Sequence, residues 1–295
     1  MCVFIGDKMS EIQPEQNNPL KKYYRQAKQF VRLPSQYKYY APGTIDVPTS
    51  GEVAVYAMTA KDEMLFKTPD ALLNGEATVR VIESCVPAIK DAWSMPSLDV
   101  DACLIAIRMA TYGTKMTVNV NVPNTKIQKE MDVDLQQAFS SVSAHEYKST
   151  FFYKDMEVNT RPLTYKEFTD AAMKTFEEQR IAAVVQNTEM SEEDKIKKFQ
   201  MSFAKLTDIN LRMVSNTVAS IKVDGETVNN PVHIQEFMNN TDSNFYTAIM
   251  EHVNKQKDNF TLPPIKVSTT PEEQKEGAPE TFEVPIIFDQ SNFFE

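Results

Sequence analysis

The stretch from Val55 to Gly113 constrains the fold most, because signals for the starts and ends of helices recur along it at short intervals. Thr59 is followed three residues later by Asp62, which is the spacing of a capping box. Thr68 precedes Pro69, and proline is favoured in the first turn of a helix, where its missing N–H costs nothing. Each of these signals predicts that a helix begins there.

Two further helices are predicted in the same stretch. Apolar residues recur at helical spacing after Ala77, at Val81, Ile82, Cys85, Val86 and Ile89. Asp99 and Asp101 precede another apolar run. We expect this last helix to end near Tyr112 and Gly113, because glycine readily adopts the left-handed conformation of a helix C-cap. The prediction is a helical module whose apolar faces pack together and which has no evident catalytic chemistry.

The length and charge of the chain limit its classes of function. At 295 residues the chain is long enough for two domains, and its 42% hydrophobic content is typical of a globular protein. A formal net charge of −10 disfavours binding to nucleic acid or anionic membranes by the whole surface, although a local basic patch could still act. The sequence has no glycine-rich phosphate loop motif, and no apolar run approaches the ~20 residues of a membrane-spanning helix.

The opening residues and the cysteines indicate a reducing compartment. The opening MCVFIGDKMSE is too short and too interrupted by charge for a secretory signal, and Met9 is a second plausible start of translation. Because the three cysteines Cys2, Cys85 and Cys103 are odd in number and two fall on predicted helices, we expect reduced, buried thiols. A Cys85–Cys103 disulfide is the less favoured alternative.

Residues 1–50 are predicted to form an extended arm that is both basic and aromatic. Between Gln16 and Ile45 there are six basic residues and no acidic ones, interleaved with tyrosine and phenylalanine. One interpretation is docking on an acidic partner or nucleic acid. The favoured interpretation is a short helix near Leu20–Val31 and an extended segment that covers the acidic body of the same protein. The residues expected to make contacts with a partner are Lys21, Arg25, Arg32, Tyr39 and Tyr40.

The rest of the chain mixes strands and helices. Strands are predicted at Met116–Val122, Lys129–Leu135, Phe151–Val158, Pro264–Val267 and Phe282–Phe288, and an Asp-Gly hairpin at Ile221–Val228. One helix is predicted after Thr164, with Phe168 and Phe176 on one face. Another is predicted after Ser191, with Ile196, Phe199, Phe203 and Leu206 at helical spacing, and two more at Pro231–Met238 and Ser243–Val253. The polar stretch TTPEEQKEGAPE is expected to be a mobile loop.

The two halves of the chain show a weak internal repeat. Each half opens with Thr-x-Lys-[Asp/Glu] just after a predicted strand, at Thr59 and Thr164, and each ends with a hairpin followed by Asp-x-x-x-x-Phe, at Asp134 and Asp289. Duplication and a chance match of short patterns both remain open. The expected fold class is α+β, with helical modules and peripheral β-hairpins, arranged as an arm (1–50), a first module (51–150) and a longer second module (151–295).

The sequence contains no constellation that predicts an enzyme. His145, His233 and His252 do not lie at metal-ligand spacing, and there is no Cys-x-x-Cys pair, so neither a metal site nor a cofactor is predicted. Cys85 has no neighbouring histidine in the sequence, although a spatial partner would make it a candidate nucleophile. Several carboxylates are explained by positions at helix starts, and Trp93 is expected to cover the adjacent core rather than to anchor a partner.

Several strings together resemble the baseplate hub subunit and hub-assembly proteins of T-even-type contractile-tailed bacteriophages. The strings are Leu33–Ser35, Met58–Glu63, Leu73–Glu76, Glu83–Val86, Asp99–Asp101, Ile107–Arg108, Thr111–Gly113 and Phe288–Phe294. The resemblance implies a non-enzymatic protein of the virion tail baseplate, or of its assembly in the host cytoplasm, whose partners are other hub proteins. It supplies no catalytic residues. Some relatives carry Cys-x-x-Cys pairs at hairpin tips, and this sequence has none there, so no zinc is expected.

The predicted function is therefore structural or assembly-assisting in the baseplate hub, through protein–protein contacts, with no small-molecule substrate. The terminal pair Phe293 and Phe294 is expected either to insert into a pocket of a partner or to fold back on its own hairpin. Three alternatives remain: an assembly chaperone absent from the finished virion, a nucleic-acid-binding module that uses the basic arm, and a cysteine-dependent enzyme.

Overall fold

The computed structural model describes residues 18–68, 74–186 and 191–285. Across these ranges it contains nine α-helices and ten strands, which pair into small antiparallel sheets, so the predicted α+β class is confirmed. The predicted helix start at Thr68-Pro69, the start Met9 and the pair Phe293 and Phe294 lie outside the described residues.

The first unit is built around one buried helix. Its elements are a 3-10 helix Pro19–Tyr23, β1 Ala27–Val31, β2 Val53–Tyr56, α1 Ala60–Phe66, α2 Glu76–Cys85, α3 Ser97–Tyr112, β3 Lys115–Asn121, β4 Gln128–Asp134 and α4 Leu135–Ser143. Every residue of α3 from 102 to 110 is buried. An α-helix that is apolar on all sides must be covered on all sides. The other elements of the first unit supply this cover, and they share one hydrophobic core with α3.

The predicted start of α1 and end of α3 are confirmed, whereas α2 ends at Cys85, before Val86 and Ile89 of the predicted apolar run. The hydroxyl of Thr59 accepts from the amide of Asp62, and the Asp62 carboxylate accepts from the amide of Thr59, so the capping box forms. Helix α3 ends at Tyr112, and Gly113 follows with φ +95° and ψ 178°. Gly113 is therefore extended with a positive φ, not in the left-handed helical conformation that the sequence suggested.

The predicted arm contributes to this core from Val31 onward. β1 pairs antiparallel with β2, and Val31, Leu33 and Ser35 are buried. A helix near Leu20–Val31 was expected. Among the described residues, this segment instead contains the short 3-10 helix, followed by strand β1. The division of the chain at residue 50 stays a prediction.

The second unit combines a four-stranded sheet with a long helical hairpin. Its elements are β5 Thr150–Tyr153, β6 Met156–Thr160, α5 Tyr165–Gln186, α6 Glu192–Thr217, β7 Val218–Val223, β8 Glu226–Val228, α7 Pro231–Asn240 and α8 Ser243–Asn259. The elements β9 Ile265–Ser268, α9 Pro271–Lys275 and β10 Thr281–Val284 follow in the chain, and Ile265 packs against the first core. The sheet has the order β5-β6-β7-β8, with Val158 opposite Ile221. The predicted Asp-Gly turn joins β7 to β8. A second core lies between this sheet and helices α7 and α8.

The expectation of a mobile loop in the polar stretch near the end of the chain is wrong at its centre. Residues Pro271–Lys275 form α9, whose N-cap Thr270 and third residue Glu273 bond reciprocally in a capping box. Glu273 also lies 3.4 Å from the amino group of Lys129, which docks this segment against the β3–β4 hairpin. The Thr-Pro-Glu-Glu sequence carries the complete start signal of a helix. The prediction of a loop rested on the polar and acidic composition of the segment and overlooked this signal.

The order of elements agrees with the idea of two related halves. A two-stranded antiparallel pair precedes a capping-box helix in both places: β1–β2 before α1, and β5–β6 before α5. Thr164 and Glu167 bond reciprocally as Thr59 and Asp62 do. Duplication itself stays a hypothesis, and the Asp-x-x-x-x-Phe motif that begins at Asp289 lies outside the described residues.

Candidate interaction site

The strings that carried the family resemblance bond to one another inside the first unit. The buried carboxylate of Asp99 accepts from the amide of Ser35 at 2.8 Å and from its hydroxyl at 2.5 Å. The hydroxyl of Thr111 accepts from the amide of Met58 at 3.0 Å. Because these residues satisfy polar groups that α3 and β1 would otherwise bury unpaired, their role is to hold the fold together.

Arg25 is bound within the protein and does not extend outward. Its guanidinium donates to the backbone oxygens of Ala57 at 2.6 Å and Ser84 at 2.7 Å, and it lies 3.4 Å from the Asp62 carboxylate. Asp62 also completes the capping box of α1. The arginine therefore ties the residues before β1 to α1 and α2, a role that its place in a basic arm did not reveal.

The other predicted contact residues divide into two groups. Lys21 and Arg32 are exposed. Tyr39 packs edge-to-face on Tyr147, with ring centroids 5.3 Å apart, and Tyr40 packs against the first core. The assignment of all these residues to a partner contact stays a prediction.

The cysteines are packing residues in this structure. Cys85 and Cys103 are free and buried, so the disulfide alternative does not form. Burial, with the Asp62 carboxylate close by, raises the pKa of the Cys85 thiol to about 11, and burial raises that of Cys103 as well. Both thiols are therefore protonated near neutral pH and are poor nucleophiles.

The described histidines and carboxylates do not assemble into a metal site. His252 stacks on Phe151, with ring centroids 4.7 Å apart, and burial lowers its pKa. In the ranges that the structure describes, no group of three or more His, Cys, Asp or Glu side chains could hold a metal ion. Helices long and apolar enough to cross a membrane are likewise absent from these ranges.

A cavity of about 630 Å³ lies where α3, α5, α6 and α8 meet. Its apolar wall includes Leu98, Phe168, Met213 and Met250. This size and this mixture of apolar walls with a few polar groups suit a docked side chain or peptide segment. The sequence analysis missed this cavity, because its walls come from helices that are far apart in the chain.

The charged side chains that line the cavity are Asp101, Arg161 and Lys257, beside several neutral polar ones. Arg161 donates to both carboxylate oxygens of Glu167, at 2.7 and 2.9 Å. Hydrogen bonding to Glu167 raises the pKa of Arg161. Burial raises the pKa of Glu167, but hydrogen bonds from Arg161 and Thr164 outweigh burial and leave this pKa below its usual value. Enclosure by protein raises the pKa of Asp101, an effect that the charge of Lys257 reduces.

Trp93 and Tyr165 fix the base of the α5–α6 hairpin beside this cavity. Their rings stack with centroids 5.7 Å apart, and the amide of Tyr165 donates to the carbonyl of Met95 at 2.8 Å. Trp93 thus covers its own neighbouring core, as expected.

Helices α5 and α6 form where the sequence predicted helices, but large apolar side chains on their predicted faces are exposed. These are Phe168, Phe176, Ile196, Phe199 and Phe203.

The described residues thus combine internal hydrogen-bond networks with an accessible cavity and an exposed helical hairpin, and the last two are features of a protein that docks onto others. The family model described as T4 bacteriophage base plate protein matches residues 41–283. The chain belongs to this family. No curated protein and no solved structure matches the chain. Membership indicates a structural rather than a catalytic role, in the baseplate of the phage tail and beside other baseplate proteins.

Proposed function

We propose that this protein is a non-enzymatic component of the tail baseplate hub, or of its assembly, and acts through protein–protein contacts. The observation that carries the proposal is the match of the baseplate family model over residues 41–283. The hub in particular is proposed from the resemblance of the strings between Leu33 and Gly113 to hub subunits and hub-assembly proteins.

The cavity and the exposed residues near the amino-terminal end supply the proposed contacts. The cavity offers an apolar wall with Asp101 and Lys257 at its polar side, which is suited to a segment that is largely apolar with few charges. Lys21 and Arg32 are the exposed basic contacts, and Phe293 and Phe294 are proposed to insert into a partner. Tyr39 and Tyr40 pack on the first core, and we propose that they hold the neighbouring exposed residues in place.

Binding of nucleic acid by the basic residues is less well supported. That function needs mobile cations that can neutralise phosphates. The guanidinium of Arg25 instead bonds to the carbonyls of Ala57 and Ser84, and Asp62 lies beside it. A nucleic-acid function is therefore not proposed.

The test is quantitative mass spectrometry of purified virions beside the lysate of infected cells. We expect peptides of this chain at a few copies per particle, well above the level of host cytosolic proteins, which measure carry-over in the same preparation. Abundance in the lysate with none in the virion would instead establish a transient assembly protein. If the chain is absent from virions, and if phage with a premature stop codon in its gene still assemble complete tails, the proposed function is wrong in both forms.

A further inference from the structure

The α5–α6 hairpin lies outside both hydrophobic cores. Among the residues described between 166 and 213, none belongs to either hydrophobic core. The two helices have 22 and 26 residues, so each is more than about 30 Å long at 1.5 Å per residue. On this hairpin Phe168, Phe176, Ile196, Phe199 and Phe203 are between 42% and 64% exposed. Such a concentration of exposed large apolar side chains indicates an interaction surface.

These side chains lie on one face of the hairpin, called here the hairpin face. Phe168 and Ala172 of α5 and Asn210 and Met213 of α6 line the same cavity, so they mark the same side of both helices. Phe176 follows Ala172 by four residues, which is one helical turn. On α6, residues 206, 203, 199 and 196 precede Asn210 at intervals of three and four. The hairpin face therefore continues from the cavity to the tip, over about 25 Å.

The α6 side of the hairpin face is uncharged from Ile196 onward, and Lys195 lies at its tip, one turn before Phe199. At 100° per residue, all the charged residues of α6 beyond Ile196 fall on the opposite side of the helix: Lys197, Lys198, Lys205, Asp208 and Arg212. A solvated helix surface normally carries charges. This side carries phenylalanine, leucine and isoleucine with neutral polar residues, which is the composition of a covered surface.

The hairpin is also poorly packed by itself. Between Glu192 and Met213 the only buried residue of α6 is Ser202. The buried carboxylate of Glu178 lies at the middle of the contact between the helices. It accepts a hydrogen bond from the amino group of Lys205 at 2.9 Å. An isolated pair of helices needs an apolar seam to be stable. Five of the seven exposed large apolar residues described on this pair lie on the hairpin face instead, and Ile181 and Met201 lie on the opposite side.

We propose that the hairpin face of one copy packs against the hairpin face of a second copy of this chain to form a four-helix bundle. The face is two helices wide, which matches another helical hairpin better than a single helix. Covering its five large side chains removes on the order of 500 Å² per copy. The two copies together bury on the order of 1,000 Å², which is the lower limit for a specific interface. This inference concerns self-association and does not rest on the proposed hub function.

The surroundings of the cavity determine how the two copies are oriented. Helix α8 lines the cavity with Tyr246, Met250 and Lys257, so the body of the protein overhangs the base of the hairpin face. A parallel pairing would bring the two bodies into collision. An antiparallel pairing about a two-fold axis places the tip residues Ile196 and Phe199 of one copy near the cavity mouth of the other, and sets Phe203 near the axis.

The test is sedimentation equilibrium of the full chain at micromolar concentration. We expect the mass of the wild-type protein to be twice 33.6 kDa. We expect the double variant Phe199→Asp, Phe203→Asp to be monomeric. The control Phe152→Asp changes a phenylalanine on β5 that is more exposed than either of these and lies away from the hairpin, and it should remain dimeric. Equal far-ultraviolet circular dichroism shows that each variant is folded. A wild-type monomer at 100 µM would overturn the proposal and leave the face to a different partner.

A cross-linking measurement tests the orientation without relying on loss of association. In a Cys2→Ser background the remaining described cysteines, Cys85 and Cys103, are buried. A short bifunctional maleimide should then link two copies of Phe203→Cys, because position 203 lies near the axis, and should not link Ile196→Cys. Linking of both variants would indicate parallel hairpins and would overturn the antiparallel arrangement. Linking of neither would contradict the dimer.

Discussion

Asp99 shows how a single residue in a recognisable string is explained by its partner in space. The sequence suggested a helix start there, and the structure adds that the carboxylate reaches back 64 residues to Ser35. Burial raises its pKa to about 6, while the hydrogen bonds from Ser35 limit the rise. Since the folded pKa lies above the unfolded value, the folded state binds the proton more tightly. The stability gained from Asp99 is complete below about pH 4 and is lost as the pH rises through about 6.

Replacing Asp99 with asparagine should remove this pH dependence. Between pH 4 and pH 7 the wild-type protein should lose on the order of 2–3 kcal/mol of unfolding free energy relative to Asp99→Asn, because only the wild type must bury a charge. The measurement is urea denaturation of both proteins at pH 4, 5, 6 and 7. All other titrating groups are common to both proteins, so their contributions cancel in the difference. A difference that does not vary with pH would show that Asp99 has a normal pKa in the folded state.

At the scale of elements, the beginnings of helices α1 and α5 follow local rules and their packing does not. Thr59 with Asp62, and Thr164 with Glu167, form capping boxes that depend only on residues three apart. The contact between α2 and α5 depends instead on Gly75, where a Cβ would lie 3.1 Å from the Tyr165 hydroxyl and 3.2 Å from Thr169. Gly75 also has φ +79°. The close approach of α5 to the first unit therefore requires a residue without a side chain.

Gly75→Ala should destabilise the protein more than Gly225→Ala. Both glycines have a positive φ, at +79° and +83°, so both substitutions incur about 1 kcal/mol of backbone strain. Only position 75 adds a collision, since nothing lies within 4 Å of a Cβ at position 225. We expect a loss of about 2–3 kcal/mol for Gly75→Ala and about 1 kcal/mol for Gly225→Ala in chemical denaturation. Equal losses would mean that α5 can shift away at no cost.

At the scale of the whole molecule, stability is distributed unevenly. Helix α3 is buried along residues 102–110 inside the first core, whereas α6 has one buried residue between Glu192 and Met213. Local opening requires less free energy where few apolar contacts are broken. The hairpin therefore opens by itself, and the core of the first unit opens only when the protein unfolds.

Hydrogen exchange should resolve this difference. In dilute, monomeric protein, amides of α6 between Phe199 and Leu206 should exchange at least about a hundredfold faster than amides of α3 between Ala102 and Ala110. The measurement is exchange followed by mass spectrometry of peptides from both helices, with an exposed-loop peptide as the reference for unprotected amides. Equal protection of the two helices in the monomer would show that the hairpin is stable without further cover.

The sequence by itself determined the features that depend on neighbours in the chain: the capping boxes at Thr59 and Thr164, the Asp-Gly turn, the alternating strand at Met116, and the helices after Thr164 and Ser191. These are local because each rests on backbone hydrogen bonds or side-chain spacing within a few residues. The family resemblance was also readable, and the family match confirms it at the level of the baseplate.

Only the tertiary structure decided which apolar faces are buried and which polar groups meet. Phe168 and Val81 both occur at helical spacing, yet Phe168 is exposed and Val81 is fully buried. Periodicity shows that a face exists but does not show what covers it. Arg25 likewise appeared to be part of a free basic arm until Ala57 and Ser84 were seen to accept its hydrogen bonds. Contacts between residues that are 30 or more positions apart depend on how elements pack, and no local pattern encodes that arrangement.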